Sequence, residues 1–117
     1  PLNVSGAFHS HLMEPAKVEF RKFIEDIPFN APVIPVIQNV SAKAETDPET
    51  IKAQLIDQLT SPVRFVECIE AAAAAGVEEA VEVGPKKVLN GLVRKIDRSI
   101  KTSNIDTMEQ VKEFTNG

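Results

Sequence analysis

Apolar residues recur at helical spacing early in the chain. Leu12, Ala16, Phe20, Phe23, Ile24 and Ile27 predict a helix over 12–27, with Pro15 tolerable because it falls in the first turn, where no N–H is needed. The run from Ala31 to Val40 is β-branched and too short for a helix. Its prolines, Pro32 and Pro35, confine pairing to the later half, which predicts a short buried strand over 36–39. Asp47-Pro48-Glu49 combines a capping residue, a proline preset for the first helical position and an acid at the positive end of the dipole. Ile51, Leu55, Ile56 and Leu59 then form one apolar face. Ser61-Pro62 repeats the start signal, and Phe65, Val66, Ile69 and Ala73 line a further helix that Gly76 stops.

The second half of the chain changes period twice. Ala80–Val83 reads as a strand broken by Gly84-Pro85, and Val88, Leu89, Leu92, Val93 and Ile96 make the cleanest amphipathic helix. A strand over 102–105 and a helix over 107–114 follow, the latter capped by Asp106 with Glu109 three residues on. Strands alternating with helices give an α/β class. Leu2–Ser5 reads as one more strand, yet these few short strands offer too little sheet for so many apolar helix faces. An incomplete sheet is the expectation.

Composition narrows the class further. A chain of 117 residues supports one modest core, and 43% apolar with 26% charged residues opposes disordered and fibrous classes. No apolar run approaches the ~18 residues that span a bilayer, and the start lacks a signal-peptide pattern. The single cysteine, Cys68, cannot form an internal disulfide, so a reducing cytoplasm is expected. Opening on Pro1 straight into strand-like residues suggests a cut segment, with removal of an initiator methionine the plainer alternative. A net charge of −4 opposes nucleic-acid binding. The charge is uneven, because Lys86, Lys87, Arg94, Lys95, Arg98 and Lys101 face only Asp97 within 86–101.

His9 stands where a strand gives way to a helix, exposed enough to meet a substrate and anchored enough to keep its geometry. A loop histidine bonded to backbone is the plainer reading. His11 could join it in a metal pair, but two histidines fall short of a ligand set, so it is expected on the surface of the first helical turn and no metal is expected. Cys68 lies inside a predicted helix beside Glu67, which favours a packed thiol over a nucleophile. Gly84-Pro85-Lys86-Lys87 precedes a helix whose free N–H groups could hold a phosphate, against the plainer reading of a turn and helix start. Arg94, Lys95 and Arg98 suit the negative end of their helix dipole.

Ser5-Gly6-Ala7-Phe8-His9-Ser10 with Leu12-Met13 resembles the histidine motif of malonyl-CoA:acyl carrier protein transacylases and the related acyltransferase domains of fatty-acid and polyketide synthases. Phe29-Asn30-Ala31-Pro32, Pro35-Val36 with Asn39-Val40, Gln58-Leu59 with Ser61-Pro62-Val63, and Glu82-Val83-Gly84-Pro85 with Lys87-Val88-Leu89 follow in the family's order. The resemblance runs from Leu2 to Ile105 and marks the chain as similar to the family's C-terminal part. It implies the last strand of a ferredoxin-like small subdomain at 1–8 and part of a hydrolase-like acyltransferase subdomain at 9–117.

The chemistry implied is transfer of malonyl from coenzyme A, through a serine acyl-enzyme, to the phosphopantetheine thiol of acyl carrier protein, with no cofactor beyond these substrates. His9 would be the general base and then acid, and Gln58 would orient it through its backbone carbonyl. The sequence holds no G-x-S-x-G elbow, and it also lacks the arginine that grips the malonyl carboxylate and the segment that builds the oxyanion hole. The partner expected is therefore the remaining N-terminal part of the enzyme, and the chain alone is expected to be inactive. Arg94, Lys95 and Arg98 would dock the acidic carrier protein. Lys86 stands where the family usually has glycine, at a cost of roughly 1 kcal/mol if φ is positive there. The alternatives are a non-catalytic partner-binding module and a polyketide-synthase acyltransferase domain.

Overall fold

The computed structural model describes residues 8–117, so the strand expected at Leu2–Ser5, and nearly all of the stretch 1–8, lies outside the described residues. The chain divides into two compact units, residues 1–71 and 72–117, and the division falls inside one helix.

In the first unit a single 3₁₀ turn, His11–Met13, leads into α1, Glu14–Glu25. Pro15 sits in the first turn of α1, as the sequence pattern requires. The strand expected at 36–39 is shorter, β1 at Val36–Ile37. It pairs antiparallel with β2, Ala44–Glu45, through Val36 opposite Glu45 and Ile37 opposite Ala44. β2 went unforeseen because two residues carry no readable alternation. The turn between them closes through Ala42 N–H donating to the Gln38 carbonyl at 2.9 Å, with Ala42 at φ 54°.

α2, Pro48–Asp57, starts as read: Asp47 Oδ2 accepts from Thr50 N at 2.8 Å. Lys17 of α1 binds at the C-terminal end of α2, and Lys52 of α2 donates to the Glu25 and Ile27 carbonyls at 2.7 Å each, at the end of α1. The two helices therefore run antiparallel, each pinned by a lysine of the other. α3, Phe65–Ala74, begins three residues after Pro62 rather than at it. A tertiary bond sets that start: Arg64 N donates to the Asn39 carbonyl at 3.2 Å, and the Arg64 carbonyl takes the first helical bond from Cys68 N at 3.0 Å.

The second unit is a βαβ element. β3, Glu79–Val83, and β4, Lys101–Ile105, pair in parallel from Glu79 opposite Lys101 to Val83 opposite Ile105. Parallel neighbours need a crossover, and α4, Val88–Ile96, supplies it and packs on both strands. α5, Met108–Asn116, is capped one residue later than expected. Thr107 Oγ1, not Asp106, accepts from Gln110 N at 3.2 Å, and Gln110 Oε1, not Glu109, accepts from Asp106 and Thr107 N–H at 2.8 and 3.1 Å. Thr107 has the extended backbone of a cap residue, at φ −107° and ψ 157°.

The class is α/β, with the described strands in two separate two-stranded sheets. The sheet is as incomplete as expected, and the helix faces show it. Of the apolar stripe expected over 12–27 only Ile24 is buried, while Leu12, on the 3₁₀ turn, and Phe23, on α1, are exposed. On α4 Val93 is buried but Val88, Leu89 and Leu92 are exposed, because two strands are too narrow to cover a whole helix face. No helix among the described residues is long and apolar enough to cross a membrane.

Candidate active site

His9 lies on the turn before the 3₁₀ element, at φ 60°, a left-handed conformation that histidine adopts more readily than most residues but still sparsely. Ser10 then caps the 3₁₀ turn, its Oγ accepting from Leu12 N at 3.3 Å. The ring of His9 reaches 49 positions along the chain: Nδ1 lies 2.9 Å from the backbone carbonyl oxygen of Gln58. The two residues singled out together from sequence thus meet in space. His11 is exposed on the 3₁₀ turn rather than on α1 itself.

The Gln58 carbonyl is open to such a contact for a reason written in the sequence. Gln58 is the C-cap of α2, where the last carbonyls have no intrahelical partner. The N–H that would next bond it, four residues on, belongs to Pro62, which has none. Leu59 and Thr60 instead close the helix with tighter bonds to the Ile56 and Asp57 carbonyls.

A carbonyl only accepts, so this contact requires the proton of neutral His9 on Nδ1 and leaves Nε2 with a bare lone pair. His9 and its neighbours Phe8 and Leu12 are exposed, so Nε2 sits at an accessible, partly apolar surface. The arrangement can take a proton from a donor brought to that surface and return it.

The other residues raised by the sequence behave differently. Cys68 is buried, with Sγ 3.6 Å from the Gln38 carbonyl oxygen, and burial pushes its thiol up, with Glu67 adding to the effect. It is a packed thiol. In the second unit the start of α4 is not free for a phosphate. The Glu82 carboxylate accepts from Leu89 N at 3.1 Å and Asn90 N at 2.9 Å, capping the helix from β3. The turn-and-helix-start reading therefore stands, and this cap was invisible because Glu82 and Asn90 are eight residues apart. Lys86 does sit at φ 73°. Asn104 Nδ2 holds the loop by donating to the carbonyls of Glu82, Gly84 and Lys86 at 3.2, 3.1 and 2.9 Å.

Arg94, Lys95 and Arg98 come together with Ile100, Lys101 and Thr102 around a concavity of about 580 Å³. Arg94 Nε donates to Thr102 Oγ1 at 3.0 Å, which turns one guanidinium along β4.

No family model matches the chain. It is 45% identical over 112 residues to the malonyl CoA-acyl carrier protein transacylase of Staphylococcus aureus, a match that covers 96% of this chain and 36% of the relative. An acyl carrier protein S-malonyltransferase from Vibrio cholerae has the same fold at a TM-score of 0.86 and 46% identity, over 97% of this chain and 37% of its own. A malonyl-transacylase solved in complex with its type II polyketide-synthase acyl carrier protein matches all of this chain and 38% of its own, at 36% identity and a TM-score of 0.85. The chain spans about a third of the length of the relatives it matches.

Proposed function

We infer that this chain, a homologue over nearly its whole length of about a third of the malonyl CoA-acyl carrier protein transacylases, contributes the histidine side of a malonyl-transfer site. The observation that supports this reading is the 2.9 Å contact from His9 Nδ1 to the Gln58 carbonyl, which presents a basic Nε2. In the proposed cycle Nε2 takes the proton of a serine hydroxyl as its oxygen attacks the malonyl thioester. The proton passes to the departing coenzyme A thiolate. Nε2 then takes the proton of the phosphopantetheine thiol as its sulfur attacks the malonyl-serine ester, and returns it to the serine oxygen. Serine and oxyanion donors would come from the part of the enzyme that this sequence does not contain.

The carrier protein is the second substrate in this reading, and Arg94, Lys95 and Arg98 are its docking residues. Their convergence on one concavity supports that role, since a basic surface raises the encounter rate with an acidic partner. A cytoplasmic location goes with this chemistry.

The test is a chimera in which this chain replaces the corresponding third of the Vibrio cholerae transferase, assayed for malonyl transfer to holo acyl carrier protein. The chimera should be active, and His9→Ala should lower its rate by about 10³-fold or more. Arg94→Glu with Lys95→Glu should raise KM for the carrier and flatten its salt dependence. A folded chimera without transfer, or full activity in His9→Ala, would end the proposal.

A further inference from the structure

His9 precedes α1 and Gln58 closes α2, so the contact between them depends on how the two helices are pinned at that end. Lys17, in the first turn of α1, does the pinning. Its Nζ lies 2.9 Å from Asp57 Oδ1 and donates to Thr60 Oγ1 at 3.3 Å. Asp57 and Thr60 stand on either side of Gln58. They are also bonded to each other, since Thr60 N and Oγ1 donate to the Asp57 carbonyl at 3.1 and 3.4 Å. Lys17 thus grips a closed turn with the acceptor carbonyl inside it. The Lys17 side chain is only 16% exposed, whereas Asp57 is 47% exposed, so it is the lysine that is withdrawn from solvent between the two helices.

We propose that Lys17 is a positioning residue for His9: by holding the turn from Asp57 to Thr60 against the start of α1, it keeps the Gln58 carbonyl within reach of Nδ1 and so selects the tautomer with a bare Nε2. The proposal rests on the reading of His9 as a base. Lys52 provides an internal control. It ties the same two helices at the far end, through the Glu25 and Ile27 carbonyls, away from Gln58. A merely structural role for Lys17 would make the two lysines equivalent.

The experiment reads the tautomer directly, without activity, by long-range proton–nitrogen correlation spectra of the nitrogen-15-labelled 117-residue chain, with His11→Asn to assign His9. Neutral His9 should carry its proton on Nδ1. In Lys17→Met the ratio of Nδ1–H to Nε2–H forms should fall about three- to tenfold, the span set by losing one net hydrogen bond. Lys17→Arg should restore it, and Lys52→Met should leave it unchanged at a comparable loss of Tm. An unchanged ratio in Lys17→Met, or an equal fall in Lys52→Met, overturns the proposal. Where Lys17→Met does not fold, Thr60→Val decides by the same sign, since at constant shape it removes the hydroxyl's bond from Lys17 together with its long 3.4 Å bond to the Asp57 carbonyl, while Thr60 N–H keeps that carbonyl bonded. A wild-type chain with its proton on Nε2 would sink the His9–Gln58 pairing itself, an outcome distinct from failure of Lys17 alone.

Discussion

The amide of Asn104 on β4 donates to the carbonyl of Lys86 at 2.9 Å and so holds a lysine at φ 73°, in a backbone region that favours glycine. The same amide serves the Glu82 and Gly84 carbonyls, so one side chain organises the whole loop between β3 and α4. The strain at Lys86 is local, and the bonds that sustain it come from a residue 18 positions away.

Replacing that lysine should relieve the strain. Lys86→Gly is expected to stabilise the chain by about 0.5–1 kcal/mol, and Lys86→Ala, which keeps the Cβ, should gain little. Thermal melts of the three proteins check this, and a gain for alanine equal to that for glycine would show that the charge, not the backbone, was the cost.

Acid should weaken both exposed aspartate turns. Asp47 is held below the usual aspartate range by the Thr50 hydroxyl at 2.6 Å and then by Thr50 N–H, and Asp97 by the Ser99 hydroxyl at 2.6 Å and then Ser99 N–H. Both folded pKa values are depressed. Their contribution is therefore complete above the unfolded value of about 3.9 and disappears as pH falls through the lower folded values. Melting temperature should drop as pH falls below the ordinary aspartate value of about 3.9, less steeply in the Asp47→Asn, Asp97→Asn double variant. Parallel curves for the two proteins would rule these groups out as the source.

Cys68 should be slow to react. Burial raises its thiol, Glu67 adds to that, and Arg64 only partly opposes it, so little thiolate forms and little is reached by reagent. Labelling by an aromatic disulfide at pH 8 should be about tenfold or more slower in the native chain than in denaturant. Equal rates would mean that α3 opens freely in solution.

Much of the local structure was legible because its signals lie within a few residues. Asp47-Pro48 announced α2, the switch of period at Gly84-Pro85 separated β3 from α4, and Pro15 fell where a first turn tolerates it. The misplaced starts share a cause. Ser61-Pro62 looked like a cap, but the Arg64–Asn39 bond decides where α3 begins, and Asp106 lost the α5 cap to Thr107, which has the extended backbone of a cap residue.

The sequence by itself determined the α/β class and the order of the described elements apart from β2, and named His9 and Gln58 together, through a resemblance carried by motifs in order. It also contained the reason that the Gln58 carbonyl is open, since Pro62 has no N–H to offer. Only the tertiary structure decided that His9 and Gln58 meet, that Lys17 and Lys52 pin α1 to α2, and that Glu82 fills the start of α4. Caps and periodicity act over a turn or two and are readable in a line of letters. A contact between residues 49 positions apart depends on where whole helices come to rest, and that follows from packing.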